Sequence, residues 1–233
     1  MSTENQPRDK TLLRRLFVAG AISDVIAFVL LFLPAGTFDF PQAWIYWGLF
    51  TVYLVVGTAW WIRIDPDFLE RRLNVGPKAE KVRTEKILAG LLLGYLCLWL
   101  TVPGFDRRFH WSNVSLVATI IGFVFSILGI AMVVYTANYN RYMAATITVE
   151  ENQPVISTGP YAWVRHPMYT GTLVWFFFTP LALGSWWGVP ATLPMLLILV
   201  FRIFDEERYL HEHLPGYVDY CRKVRCRLLP FVF

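Results

Sequence analysis

Hydrophobic positions in this chain gather into long runs, and the polar residues collect at the ends of those runs. A helix rising about 1.5 Å per residue needs about 20 mostly apolar residues to cross a bilayer. Residues 16–33, 43–62, 87–105 and 114–135 meet that requirement, the first run ending at Pro34 and Gly36. Residues 167–201 then contain no Asp, Glu, Lys or Arg. Within them, two shorter segments (169–183 and 189–204) are separated by Gly184-Ser185-Trp186-Trp187-Gly188-Val189-Pro190, with Pro180 and Pro194 nearby. Gly and Pro at that spacing stop one helix and start another. The pattern predicts an all-α integral membrane protein with about six membrane segments, the last two a helical hairpin.

Basic residues orient the spans. Four lie in the first fifteen residues, seven in 63–86 and six from Arg202 onward, whereas residues 34–42 have none. Arg107 and Arg108 in the next outer loop are a mild exception. The positive-inside rule gives a multi-pass protein with both termini in the cytoplasm. Residues 136–168 are then cytoplasmic too, so the dense polar clusters share one face. The loop 63–86 begins Asp65-Pro66, an N-cap followed by Pro at the first helical position, and predicts a short amphipathic interfacial helix. Gly90-Leu91-Leu92-Leu93-Gly94 matches the small-xxx-small pattern and is a candidate helix contact.

Composition agrees. The chain is 56% hydrophobic and 16% charged, with a mean hydropathy of +0.45, against roughly 25% charged for a soluble domain. Ten Trp and eleven Tyr suit an interfacial belt. The net charge of +4 is spread through the membrane-flanking loops, which excludes a nucleic-acid surface. The polar first fifteen residues and the missing small-residue cleavage site argue against a cleavable signal peptide. Cys97, Cys221 and Cys226 form no metal or redox pattern and read as reduced and structural. His110, His211 and His213 have no metal-ligand spacing, and no metal is expected.

Two clusters bracket the charge-free stretch. The first is Gly159-Pro160-Tyr161-Ala162-Trp163-Val164-Arg165-His166-Pro167-Met168-Tyr169. Pro167 pushes His166 out of the α region and is suited to open a helix, so His166 belongs at a helix N-terminus, where a carboxylate or phosphate is favoured. A loop His and Arg meeting lipid headgroups is the plain structural alternative. The second cluster is Arg202, Asp205, Glu206 and Glu207, with Arg202 and Glu206 on one helical face. Alone it reads as a surface ion pair; a hairpin that returns it beside the first cluster makes one polar site at the membrane surface. Asp24, in the middle of the first span, is either functional or a satisfied helix-packing group beside Ser23. Tyr135, Asn138, Tyr139, Asn140 and Arg141 close the fourth span, as headgroup-facing polarity or as a roof over the site.

Together the motifs Gly-Pro-Tyr-x-x-x-Arg-His-Pro-x-Tyr-x-Gly (159–171) and Arg-x-x-x-Glu-Glu-x-x-Leu (202–210) resemble the isoprenylcysteine carboxyl methyltransferase family and its phospholipid methyltransferase relatives. Gly-Tyr-x-x-Tyr (216–220) and Arg227-Leu228-Leu229-Pro230-Phe231 extend the resemblance over residues 146–231. It implies N-terminal transmembrane helices over 1–145 and a catalytic methyltransferase core over 146–233, with a cytoplasmic-side cofactor pocket for S-adenosylmethionine. The pocket would take Gln153, Pro154, Val155, Ile156, Tyr161, His166, Pro167, Met168, Tyr169 and Glu206. Arg202 matches the arginine placed toward the methyl acceptor. Gln153 departs from the His of the eukaryotic enzymes. The implied acceptor is the carboxylate of a prenylcysteine-like molecule, its tail arriving from the bilayer among the membrane lipids.

A carboxylate is ionised at pH 7 and needs no general base, so alignment and desolvation would carry the catalysis. N-methylation of an aminolipid is the alternative, for which Glu207 or His166 are the visible bases. A non-catalytic small transporter built around Asp24 is the reading from a different class.

Overall fold

The computed structural model describes residues 6–73, 83–142, 149–150 and 152–230, and among them the regular structure is helical. Eight α-helices follow in order: α1 (Gln6–Ala35), α2 (Pro41–Ile64), α3 (Pro66–Leu73), α4 (Arg83–Phe109), α5 (Leu116–Tyr139), α6 (Pro167–Ala182), α7 (Leu193–His213) and α8 (Tyr217–Lys223). Single 3-10 turns cover Gly159–Ala162 and Pro190–Thr192. Part of the interfacial loop (74–82), the expected boundary between 145 and 146, and Phe231 of the closing motif lie outside the described residues.

The boundaries follow local chemistry. Gly36, at φ 65°, ends α1 and returns its N–H to the Phe32 carbonyl at 3.0 Å, since a left-handed C′ position suits a residue without Cβ. Pro41 opens α2, and the Ser115 hydroxyl caps α5 by accepting from the Ala118 N–H at 3.2 Å. The Asp65-Pro66 signal holds: Asp65 accepts the Phe68 N–H at 2.9 Å, and Phe68 stacks on Trp61 with centroids 4.3 Å apart.

Helices stand at all six places where membrane segments are expected. Three of them (10–35, Pro41–Ile64 and Leu116–Tyr139) are long and apolar enough to cross a bilayer by length and composition. α4 spans 27 residues with charges at both ends, and α6 has 16. The hairpin forms, but its second arm starts later and runs further than the apolar run suggests, from Leu193 to His213. One continuous helix therefore carries Arg202 through Leu210.

α6 packs mainly on α5, whereas α7 packs on α4, so the hairpin arms are held by other helices more than by each other. The α5–α6 seam is built on glycine. A Cβ on Gly122 would meet Ala182 N at 2.2 Å, and one on Gly129 would meet Trp175 N at 2.5 Å. Of the candidate pair in α4, by contrast, a Cβ on Gly94 meets nothing within 4 Å. The turn of the hairpin is fastened by buried Asp106, which accepts from the Ser112 N–H (2.8 Å), the Ser112 hydroxyl (2.6 Å) and the Ser185 hydroxyl.

Asp24 has a structural partner. The Thr51 hydroxyl of α2 donates to its carboxylate at 2.6 Å, and Trp47 Nε1 donates to its carbonyl at 3.3 Å. Ser23 instead bonds back to the Ala19 carbonyl.

Candidate active site

His166 is the N-cap of α6, with φ −123° and ψ 61°, and Pro167 is the first helical residue. That lies outside the α region, which a following proline disfavours. The backbone N–H groups of Arg165 and His166 are not open to a ligand: they donate to Cys226 O and Arg227 O, both at 2.9 Å.

α7 enters beside this N-terminus and aligns two carboxylates against it. The Tyr169 hydroxyl donates to Glu206 Oε2 at 2.7 Å and accepts from Arg202 Nε at 3.2 Å. Arg202 and Glu206, four apart on α7, are thus joined through a side chain of α6. Glu207 turns the other way and is buried. Its Oε1 accepts from Arg165 Nε (2.7 Å) and faces His166 Nε2 (3.2 Å); its Oε2 accepts from Arg227 Nε (2.9 Å). Burial works to raise the Glu207 pKa, but the hydrogen bonds from His166 and Arg165 and the Arg165 guanidinium outweigh it, holding the carboxyl down at about 2. Burial pushes the Tyr217 and Tyr220 phenols upward, and Glu207 beside Tyr217 adds to it.

Between these elements lies an open cleft of about 880 Å³ counting its mouth. Gln153, Pro154, Val155, Ile156, Tyr161, His166, Met168, Tyr169, Arg202 and Glu206 line it. Pro167 does not; it is fully buried beneath, setting the start of α6. Glu207 is likewise outside the lining, and it is no free base, since both its oxygens are engaged.

The sequence reading did not assign several other walls. Asn140 lines the cleft and donates to the Tyr161 hydroxyl at 3.1 Å, the roofing role considered for the end of the fourth span. Tyr142, Arg165, Leu210, Leu214, Tyr217 and Tyr220 complete the lining. The Gly216-Tyr217-x-x-Tyr220 motif was the available signal for the last two. Gly216 takes φ 84°, and the Tyr220 hydroxyl donates to Tyr161 O at 2.8 Å, tying α8 to the 3-10 turn. The described residues hold no group of three or more His, Cys, Asp or Glu placed to bind a metal.

Residues 117–215, which supply α5, α6, α7 and most of the cleft, match the family model for phospholipid methyltransferase. The protein-S-isoprenylcysteine O-methyltransferase of Saccharomyces cerevisiae is 29% identical over 137 residues, covering 54% of this chain and 54% of the yeast protein. The chain therefore spans about half the length of that relative. Protein-S-isoprenylcysteine O-methyltransferase A of Arabidopsis thaliana is 29% identical over 60% of this chain and 70% of its own length. Among solved structures, the eukaryotic intramembrane Ras methyltransferase, isoprenylcysteine carboxyl methyltransferase, shares the fold. It aligns with a TM-score of 0.53 at 20% identity, over 89% of this chain and 73% of that one. The match over the cleft-building helices, the related sequences and the shared fold agree: this chain is similar to isoprenylcysteine methyltransferases in sequence and fold, and to phospholipid methyltransferases over residues 117–215.

Proposed function

We propose that the protein is a membrane methyltransferase that uses S-adenosylmethionine and methylates the carboxylate of a lipophilic, prenylcysteine-like acceptor. The observation that carries this reading is the Arg202–Tyr169–Glu206 chain at the head of the cleft, which sets a cation and a carboxylate on one wall within a few ångströms.

The lining fits such a methyl donor. Tyr161, Ile156, Leu210 and Leu214 offer an apolar and aromatic bed for a purine, while Glu206, His166, Asn140 and Gln153 offer polar contacts. The Gln153 amide oxygen already accepts the Glu150 N–H at 3.0 Å, so its amide nitrogen is the group left to donate to a ligand. When bound, S-adenosylmethionine supplies an electrophilic methyl on a sulfonium.

Arg202 would hold the acceptor carboxylate, a geometry its guanidinium matches. Its bond to Tyr169 limits how far it can move toward that anion. With Glu207 locked in ion pairs, His166 is the one of the two bases considered that faces the cleft, and an ammonium acceptor would have to give its proton to it. An acceptor that is already an anion needs none. That favours the carboxylate over the aminolipid alternative.

The acceptor's tail would arrive laterally. An apolar groove between α2 and α5, lined by Val52, Gly57, Ile130 and Val134, ends at Ala137 and Asn138, just before cleft-lining Asn140. With six membrane segments and cytoplasmic termini, as the basic residues indicate, the cleft lies at the cytoplasmic surface.

The test is methyl transfer from radiolabelled S-adenosylmethionine by the detergent-purified protein, offered an S-farnesyl cysteine analogue or an aminolipid of similar chain length. Transfer to the carboxylate alone supports the reading. Transfer to the amine alone replaces it with the N-methyltransferase. No saturable S-adenosylmethionine binding by a folded sample removes the methyl donor.

A further inference from the structure

The segment after α8 straps the N-terminus of α6. Besides the two backbone bonds to Cys226 O and Arg227 O, Arg165 Nη1 donates to Val224 O (3.1 Å) and Arg225 O (3.2 Å). The Thr170 hydroxyl donates to Leu228 O at 2.7 Å. From this strap Arg227 reaches inward: its Nε donates to Glu207 Oε2 at 2.9 Å, and its guanidinium lies 5.1 Å above the Phe204 ring.

Arg227 itself does not line the cleft, but the bonds lead there in two steps. A carboxylate only accepts hydrogen bonds, so His166 Nε2, 3.2 Å from Glu207 Oε1, carries a hydrogen. In the neutral ring this leaves Nδ1 as a bare acceptor. Nδ1 lies 4.0 Å from Glu206 Oε1, and the ring is nearly parallel to Tyr169 at 5.6 Å. His166 Nδ1 and the Glu206 carboxylate then form a paired acceptor on the cleft wall, suited to an N–H-rich cation such as an ammonium. The pair keeps this form only while Glu207 is prevented from rotating. Arg165 fixes one of its oxygens and Arg227 the other.

We infer that Arg227 is a positioning residue: by clamping Glu207 from the C-terminal strap, it holds His166 as the Nε2–H tautomer, with Nδ1 as an acceptor beside Glu206. That the acceptor pair serves the amino-acid end of a methyl donor rests on the function proposed above; the clamp itself does not.

The experiment uses full-length protein with ¹⁵N-labelled histidine in detergent. The imidazole ¹⁵N shifts of His166 are assigned by loss in His166→Gln, since the chain has four histidines. Wild type is expected to show the Nε2–H tautomer. Arg227→Gln is expected to show a tautomer mixture and S-adenosylhomocysteine affinity lower by about tenfold or more, in line with the cost of small misplacements. Arg227→Lys keeps the charge but not the planar fork, and should lie between them. A single, wild-type tautomer with unchanged affinity in Arg227→Gln overturns the inference. If Arg227→Gln does not fold, Arg227→Lys decides: a wild-type tautomer overturns the clamp and a mixture supports it. Wild-type protein that binds no S-adenosylhomocysteine while the variants change tautomer sinks the methyl-donor reading and leaves the clamp standing.

Discussion

Tyr169 and Glu206, one on α6 and the other on α7, meet in a 2.7 Å hydrogen bond across the head of the cleft, with the Tyr169 hydroxyl as donor. The same hydroxyl accepts from Arg202, so a single oxygen aligns the carboxylate and the guanidinium. Hydrogen bonds to charged groups contribute about 1.5–3 kcal/mol. Tyr169→Phe should therefore weaken S-adenosylhomocysteine binding by roughly ten- to hundredfold while the protein stays folded. Calorimetry in detergent checks this, and unchanged affinity would show the bond to be incidental to ligand binding.

The roles of Arg202 and Glu206 separate kinetically. Glu206→Ala is expected to lose cofactor affinity. Arg202→Ala should retain it while methyl transfer to a carboxylate acceptor falls by at least about a hundredfold, as for loss of one charge-stabilising group. An unchanged rate in Arg202→Ala removes that residue from the mechanism.

Glu207 gives a pH dependence with a defined sign. Its folded-state pKa, held at about 2, lies below the ordinary 4.5. The stability it contributes is then fully present above about pH 4.5 and is lost as pH falls through about 2. The stability gap between wild type and Glu207→Gln should be constant above pH 4.5 and narrow on acidification. Thermal melts across that range read it. A gap that widens toward acid contradicts the ion-pair arrangement.

Two glycine substitutions differ only in what the new methyl meets. Gly129→Ala drives a Cβ against the Trp175 backbone at 2.5 Å, whereas Gly94→Ala meets nothing within 4 Å. Overpacking costs about 1–3 kcal/mol, while Ala in place of a helical Gly gains up to about 1 kcal/mol. Gly129→Ala should lower the melting temperature, and Gly94→Ala should leave it unchanged or raise it. Equal effects would place the tight α5–α6 seam in doubt.

Gly57 lines the α2–α5 groove, and a Cβ there would meet only Tyr53, at 3.9 Å. Gly57→Phe should fill the groove without a clash against the backbone. The expected result is a higher KM for long-chain acceptors, with short-chain acceptors and cofactor binding little changed. Equal KM changes for both chain lengths would direct the tail elsewhere.

Much of this architecture was legible in the chain because membrane segments report themselves locally. Each apolar run, cap and Pro/Gly break acts through its nearest neighbours, so Gly36, Asp65-Pro66 and His166-Pro167 mark real helix ends. The charge-free stretch and its flanking clusters pointed to a hairpin that returns Arg202 and Glu206 beside His166 and Tyr169, and these residues do line one cleft. The resemblance placed Glu206 in the pocket, but the locking of its neighbour Glu207 in buried ion pairs was not legible. Glu206 and Glu207 have the same chemistry, and only the 100° turn between successive helical residues, set against α6 and the strap, sends one to the cleft and the other into a buried knot. The same holds for the glycine seam. Gly94 and Gly129 look alike as small residues in apolar helices; the docking of α6 on α5 decides that Gly129 is needed. Local sequence determined where helices begin, end and carry charge. Long-range packing decided which faces meet, because identical residues acquire different roles only from the neighbours that the fold brings to them.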